Sequence, residues 1–262
     1  MTFAARLYAC VDASGSLLCC GLDPDGFTSA AAAEHRCLEI IDETIEYVCA
    51  FKPNLAFFEQ MGSAGYAILE RLRDRIPSER ILILDAKRGD TGNTAEAYAR
   101  ALFDVLGADC VPVNPLLGSD SVLPFLHRAD RGALLVARSS NPGAVDLLDE
   151  RLASGMRVSA RIVELGLRWD PGGCVGFVVG ATKPDAVAEI RRAAPDAPLL
   201  LPGVGAQGGE LEDSVSAGID ARGRGAIISV SRGIASAPEG AARAARDFRE
   251  RIEEVRAAVA HV

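Results

Sequence analysis

An Asp-x-Lys-x-x-Asp motif directly follows four aliphatic residues in the segment Ile81-Leu82-Ile83-Leu84-Asp85-Ala86-Lys87-Arg88-Gly89-Asp90-Thr91-Gly92-Asn93-Thr94. The aliphatic run predicts a buried strand, and the alternation of side chains along a strand points Asp85 and Lys87 to the same face. Gly89 lets the backbone turn and carries Asp90 onto the following loop. Unpaired buried charges are costly, and α/β folds place their chemistry at the carboxyl ends of strands. We therefore interpret this segment as a functional site.

The rest of the chain repeats the pattern of a short apolar run followed by a segment of helical periodicity. The predicted strands are Leu17–Leu22, Ala50–Ala56, Ile81–Ala86, Cys110–Val113, Ala133–Ala137, Val175–Val179, Pro198–Leu201 and Ala226–Val230. The predicted helical segments are Ala31–Val48, Ala64–Leu72, Thr94–Leu106, Ser121–Leu126, Arg157–Leu167, Ala186–Ala193 and Ala241–Val259. Eight strands alternating with helices favour a closed, parallel (β/α)8 TIM barrel, which typically occupies about 250 residues. No linker or low-complexity stretch divides the chain, so we expect a single α/β domain over residues 1–262.

Composition and charge exclude several classes of function. The formal net charge of −8 argues against a nucleic-acid partner, because phosphate backbones select for basic surfaces. The seven cysteines form no C-x-x-C pair and their number is odd, which indicates free buried thiols in a reducing cytoplasm. The three histidines lack ligands at metal-binding spacing, so no metal site is predicted. No signal peptide or apolar run of ~18 residues is recognisable, and we expect a soluble, cytoplasmic protein that does not enter a membrane.

Polar or glycine-rich residues follow every predicted strand. In chain order they are Asp23, Lys52 with Asn54, Asp85 with Lys87, Asn114, Ser139 with Ser140, Gly180–Thr182, Gly203–Gly209 and Ser231–Gly233. The carboxyl ends of barrel strands converge on one mouth, so we expect Lys52, Asp85, Lys87 and Asp90 to form a cluster of alternating charge there. A structural salt-bridge network is the alternative interpretation. The apolar neighbours of Lys52 favour function, because they leave this lysine no solvent-facing role.

The glycine-rich segment Pro202–Gly209 and the later Arg232 predict a phosphate site. Glycines leave backbone N–H groups free to point at an anion, and phosphate sites in barrels recur after strands 7 and 8. A tight turn between strand and helix is the alternative for the glycine-rich segment. Asp90 and Thr94 share one helix face if a helix begins near Gly92, although Asp90 could also be only a capping group for that helix.

These residues resemble the orotidine 5′-phosphate decarboxylases, specifically the bacterial subgroup with an Asp-Ala-Lys-Arg-Gly-Asp signature. The resemblance extends in order from residue 21 to residue 234. Its segments are Gly21-Leu22-Asp23-Pro24, Phe51-Lys52-Pro53-Asn54, Leu84–Thr94, Val113-Asn114-Pro115, Ser140-Asn141-Pro142-Gly143, Val179-Gly180-Ala181-Thr182, Pro202–Gly209 and Ser231-Arg232-Gly233-Ile234. Thr91 departs from the branched aliphatic residue expected there, at a position that carries no chemistry.

The resemblance implies a homodimeric barrel that converts orotidine 5′-phosphate to uridine 5′-phosphate (UMP) and CO2, the last step of UMP biosynthesis, without metal or cofactor. In such an enzyme Asp23 and Lys52 would hold the ribose hydroxyls, and Lys52 would also pair with Asp85. Asp85 would face the substrate carboxylate. Lys87 would protonate C6 of the pyrimidine as CO2 leaves.

The same resemblance implies the remaining contacts to the substrate. Asp90 and Thr94 would enter the site of the neighbouring subunit, and Ser140 would bind the base. The phosphate would be held by a set of residues from the two late loops, namely Gly203, Gln207, Arg232 and Gly233.

Two other functions remain open from the sequence. A related barrel could use the Asp-x-Lys-x-x-Asp pattern for Mg2+-dependent aldol chemistry on sugar phosphates, with the aspartates sharing their work with the metal. A non-catalytic barrel could bind pyrimidine nucleotides, although binding alone seldom requires two lysines and two aspartates in one cluster.

Overall fold

The structure is a computed structural model that describes residues 1–170, 172–205 and 211–259. Eight strands form one parallel sheet in these residues. The strands are β1 (Leu18–Leu22), β2 (Ala50–Pro53), β3 (Ile81–Leu82), β4 (Cys110–Val113), β5 (Gly132–Arg138), β6 (Val175–Val179), β7 (Leu199–Pro202) and β8 (Ala226–Val230). Their order in the sheet is β3-β2-β1-β8-β7-β6-β5-β4. The sheet curls round so that its two edge strands, β3 and β4, are neighbours. The predicted (β/α)8 architecture is confirmed as a nearly closed barrel in a single α/β domain.

Helices surround the strands, and each strand is followed in the chain by at least one helix. They are α1 (Phe3–Ser14), α2 (Ala30–Thr44), α3 (Leu55–Glu59), α4 (Ser63–Arg75), α5 (Gly92–Ala99), α6 (Ser119–Leu126), α7 (Val158–Trp169), α8 (Pro184–Ala193), α9 (Leu211–Gly218), α10 (Arg232–Ala235) and α11 (Ala241–Val259). Helix α5 continues as a π-helical turn over Arg100–Val105, and a 3-10 helix spans Pro142–Asp146. None of the helices in the described ranges combines the length and the apolar composition that crossing a bilayer requires.

The core is mostly aliphatic, with phenylalanines among its largest side chains, and most of the cysteines belong to it. Strand residues are almost all buried, as parallel strands covered by helices must be. All seven cysteines lie in the described residues, where each is buried and free. The buried thiols predicted from the sequence are therefore present.

The strand and helix boundaries differ from the prediction at two places that matter for the site. The predicted strand Ala50–Ala56 is wrong beyond Pro53, because Asn54 caps helix α3 by accepting the Ala56 N–H at 3.1 Å. The predicted strand Ile81–Ala86 pairs regularly only over Ile81–Leu82. Helices α1, α3, α9 and α10 were not predicted; of these, α3 and α10 span only five and four residues, too few to show helical periodicity.

The seam between β3 and β4 closes through a buried carboxylate at the amino ends of the strands. Isolated bridges join Ile83 to Cys110 and Arg88 to Val113. Just before β4, the Asp109 carboxylate accepts the Leu82 N–H at 2.9 Å. The same carboxylate pairs with Arg6 of α1 and with Arg131 before β5, each at 2.8 Å. Asp109 therefore holds together β3 and β4, the two edge strands of the sheet, where the barrel closes.

We expect Asp109→Ala to lower the free energy of unfolding by about 2–4 kcal/mol, because it leaves two arginines and one buried N–H without their acceptor. Asp12→Ala is the matched control, since Asp12 is 57% exposed and its ion pair, with Arg224, lies at the surface. An exposed pair contributes at most about 1 kcal/mol. Urea unfolding of both variants measures the difference, and equal losses would contradict the role of Asp109 at the seam.

Candidate active site

A cavity of about 730 Å³ opens at the carboxyl ends of the strands, where the sequence predicted a site. The predicted site residues that line it are Asp23, Lys52, Asp85, Lys87, Ser140, Gly203 and Arg232. Gln207 lies outside the described residues, which omit positions 206–210. Of the glycine-rich segment, the structure therefore describes only residues 202–205. Three predicted site residues, Asp90, Thr94 and Gly233, are not part of the lining.

The Asp85 carboxylate lies between two lysines at the centre of this cavity. Its Oδ2 atom is 3.2 Å from Lys52 Nζ, and its Oδ1 atom is 2.6 Å from Lys87 Nζ. Lys52 and Asp85 are buried, whereas the Lys87 side chain is 48% exposed and reaches into the open space. The predicted Lys-Asp-Lys array is therefore formed by direct contacts, with its outer ammonium accessible to a substrate.

The charges of this array stabilise one another. Burial alone would raise the pKa of Asp85, but attraction to Lys52 and then to Lys87 outweighs burial and holds that pKa below the usual aspartate range. Burial alone would lower the pKa of Lys52, but Asp85 and Asp23 raise it above the usual lysine value. Asp85 and Lys52 are therefore both ionised at neutral pH.

The contact between Asp85 and Lys87 has a different backbone origin from the one predicted. The sequence suggested an extended strand in which residues i and i+2 share a face, but Lys87 has a φ of 42°. Among the described residues it is the one non-glycine with a left-handed backbone conformation. This turn, and not strand alternation, brings the Lys87 ammonium back to Asp85. Such a conformation is uncommon for a side chain of this size and is often found at functional sites.

Asp23 and Asn54 link the first three strand ends. The Asn54 N–H donates to Asp23 Oδ1 at 3.2 Å, and Asn54 also forms a backbone bridge to Asp85. These contacts place Asp23, at the end of β1, beside Lys52, at the end of β2. The arrangement presents a carboxylate and an ammonium side by side, a pair suited to binding vicinal hydroxyl groups.

Two glycines let neighbouring loops pack closely against the strand ends in the wall of the cavity. A Cβ at Gly180 would lie 2.5 Å from the Ser140 Cα atom, and one at Gly21 would collide with the Ser231 side chain. Ser140 and Ser231 both line the cavity. Glycine at these positions therefore brings the loops after β5 and β8 inward.

Sequence reasoning missed Ser229, a buried polar residue of β8 that also lines the cavity. Its signal was a hydroxyl in the otherwise apolar strand Ala226–Val230. At the same end of the cavity Arg232 is exposed at the start of α10, next to Gly233. Strand β8 and the start of α10 therefore supply a hydroxyl and a guanidinium at the cavity, and the guanidinium is that of Arg232, the cationic residue of the phosphate prediction.

Asp90 and Thr94 do not reach the cavity of their own barrel. The Asp90 carboxylate accepts the Thr91 N–H at 2.8 Å and precedes helix α5, which begins at Gly92. Thr94 is exposed in the first turn of that helix. In the described residues no three His, Cys, Asp or Glu side chains form a group that could hold a metal ion.

Fold and cavity together define an α/β-barrel protein with a lysine–aspartate–lysine centre at the strand ends. A model of the "Orotidine 5′-phosphate decarboxylase / HUMPS family" matches residues 16–248. The chain belongs to this family.

Curated relatives and solved structures agree with this family. Orotidine 5′-phosphate decarboxylase from Roseiflexus castenholzii is 48% identical over 252 residues, covering 92% of this chain and 91% of the relative. The same enzyme from Thermomicrobium roseum is 42% identical and covers 99% and 98% of the two chains. The structure of Leishmania donovani OMP decarboxylase has a TM-score of 0.91 and 39% identity, covering 98% of this chain and 99% of that one.

The low pKa of Asp85 makes a prediction about stability in acid. A carboxylate with a lower pKa in the folded than in the unfolded chain stabilises the fold above about pH 5, and this contribution is lost as the pH falls through its folded pKa. We expect Asp85→Asn to be less stable than the wild type at pH 7 by about 3 kcal/mol, because buried Lys52 loses its counter-ion. Urea unfolding between pH 7 and acid should show this gap shrinking, whereas a gap independent of pH would contradict the assignment.

Proposed function

We propose that this chain decarboxylates orotidine 5′-phosphate to UMP and CO2, the last step of UMP biosynthesis. The observation that carries the proposal is the Lys52–Asp85–Lys87 array, which exposes one ammonium to a cavity of nucleotide size. Membership of the decarboxylase family and the full-length relatives named above support the same activity.

Loss of CO2 from C6 of the pyrimidine leaves an electron pair that the ring delocalises poorly. The barrier without an enzyme is therefore high, and enzymes in general lower barriers by about 8–23 kcal/mol. A fixed Lys87 ammonium beside C6 stabilises negative charge that develops only as the C–C bond breaks. The electron pair left at C6 then takes a proton from this ammonium, and the resulting amine regains a proton from water.

Asp85 contributes to the reaction in two ways. As an ionised group it lies next to the position proposed for the substrate carboxylate, and loss of neutral CO2 relieves the repulsion between them. It also holds both lysines in place through its two oxygens. In this mechanism the carboxylate itself neither gains nor loses a proton.

The other cavity residues are proposed to bind the parts of the substrate that do not react. Asp23 and Lys52 hold the ribose hydroxyls, and Ser140 binds the base. The phosphate is bound by groups from the loops after β7 and β8, namely Gly203, Gln207, Arg232 and Gly233. Contacts to the phosphate, remote from C6, supply binding energy that aligns the reacting carbon with Lys87.

We propose further that the active form is a homodimer in which Asp90 and Thr94 complete the neighbour's site. Their position outside their own cavity supports this assignment. Leu116 and Leu117, in the loop after β4, are about half exposed. Burying such residues against a symmetric copy is a common reason for dimer formation.

Several broader assignments belong to the same proposal. We place the chain in the subgroup with the Asp-Ala-Lys-Arg-Gly-Asp signature, treat residues 1–262 as one domain, and expect no cofactor. The seven free, buried cysteines support a reducing cytoplasm as its location.

Replacing the proposed proton donor tests the mechanism. We expect Lys87→Ala to lower kcat by about 10³-fold or more, because both charge stabilisation and proton transfer are lost. Lys183→Ala is the control, since Lys183 is exposed and does not line the cavity. The assay follows the absorbance of orotidine 5′-phosphate.

The same assay in the presence of EDTA distinguishes the proposed decarboxylation from the Mg2+-dependent alternative. Wild-type turnover should persist in EDTA, whereas loss of turnover that Mg2+ restores would indicate metal-dependent chemistry. No turnover by the wild type would refute the proposed activity. Turnover that survives Lys87→Ala would refute only the role of that lysine.

Mixing two inactive variants tests the shared site. A mixed dimer of Asp90→Ala and Lys87→Ala subunits contains one barrel with both Lys87 and a partner's intact Asp90. After subunit exchange at equal concentrations, about a quarter of the wild-type activity should return, because half of the dimers are mixed and each has one intact site. If exchange is demonstrated by mass and activity does not return, Asp90 acts within its own subunit.

A further inference from the structure

Arg88 lies next to the proposed proton donor but does not line the cavity. Its guanidinium pairs with Glu59 at the end of α3 and lies over the Tyr98 ring of α5, with 5.2 Å between Cζ and the ring centroid. It also donates from Nη1 to the Ala86 carbonyl at 3.3 Å. The side chain therefore contacts both helices beside the loop and the residue that precedes Lys87.

The backbone at Lys87 needs such support. A left-handed conformation is unfavourable for a lysine, and residues keep such conformations only where their surroundings impose them. Ala86 and Arg88, the residues on either side, are both held. The Ala86 carbonyl accepts from the Arg88 side chain, and the Arg88 carbonyl accepts the Asn114 N–H at 2.7 Å. Arg88 thus takes part in fixing the turn on both sides of Lys87.

The pair of Arg88 and Glu59 also connects the segments that carry the two lysines. Glu59 ends the helix that begins directly after the Lys52 segment, and Arg88 belongs to the Lys87 loop. Inside the cavity the same two segments are joined by Lys52 and Asp85. Beyond the backbone pairing of the two segments, side chains therefore join them both at the cavity and outside it.

The environment of Arg88 differs from that of an ordinary surface ion pair. Its side chain is only 22% exposed, and its Nε atom is buried without a hydrogen-bond partner among the described residues. Leaving a buried donor unpaired is unfavourable, so the guanidinium is held here by its other contacts. An exposed pair that only stabilised the surface would not need this burial.

We propose that Arg88 is a positioning residue, which together with Glu59 holds the turn that keeps the Lys87 ammonium against Asp85 and aimed at the substrate. This inference rests on the role of Lys87 given above. Arg88 does not contact the substrate, so its loss should slow the chemical step and leave substrate binding largely intact.

The test compares kcat and KM for Arg88→Met and Glu59→Ala with those for the wild type. We expect kcat to fall by about 10–100-fold for Arg88→Met, as for a small misplacement of a reacting group, with KM changed by less than about threefold. Glu59→Ala should change the same parameter, and the double variant should be no slower than the slower single variant, because the two residues act as one unit. Arg88→Lys, which keeps the charge, should recover part of kcat.

Arg71→Met is the matched control. Arg71 likewise joins two helices through a glutamate, with Nη2 2.7 Å from Glu34 Oε2, but it lies away from the cavity. Its loss should lower the melting temperature without lowering kcat. If Arg88→Met does not fold, Glu59→Ala decides by the same criterion.

Two results would overturn the inference. One is a kcat within twofold of the wild type for folded Arg88→Met and Glu59→Ala. The other is a loss confined to KM. Lys87→Ala, measured in parallel, separates the two proposals: an inactive Lys87→Ala beside an unimpaired Arg88→Met refutes only the positioning role, whereas an active Lys87→Ala refutes the role of Lys87 on which it rests.

Discussion

The Asp85 carboxylate, held between two ammonium groups, is the interaction on which the rest of the site depends. One oxygen contacts Lys52 and the other contacts Lys87, at 3.2 and 2.6 Å. Burial alone would favour a neutral carboxyl, and attraction to the two lysines keeps the pKa of Asp85 low. Asp85 thus holds the two lysines in place, and the two lysines keep Asp85 ionised.

The barrel provides this array by bringing separate strand ends to one mouth. Lys52 and Asp85 lie 33 residues apart in sequence, and parallel pairing of β2 with β3 makes them neighbours. The chain has three lysines, and two of them line this cavity, whereas arginine is used elsewhere for ion pairs. Lysine can release a proton to a carbanion and arginine in practice cannot, so this choice is consistent with a proton donor at the mouth.

Local patterns in the sequence were enough to predict where the strands lie and to identify most of the site residues. Apolar runs gave strands β4, β6 and β8 their observed bounds, and charges at strand ends identified Lys52, Asp85 and Lys87 as one cluster. The helix after Lys52 was missed because Leu55 and Phe58 extend an apolar run, while the deciding signal was the cap at Asn54. The turn at Lys87 and the contact of Arg88 with Glu59 depend on residues distant in sequence, which no local pattern encodes.

A double-mutant cycle in kcat tests most directly whether the array acts as one unit. Lys52→Met, Asp85→Asn and the double variant are compared with the wild type. If Asp85 works by holding both lysines, the double variant should be about as slow as the slower single variant, since residues that act together have non-additive effects. Losses that multiply in the double variant would show that Lys52 and Asp85 act independently, and would contradict the account.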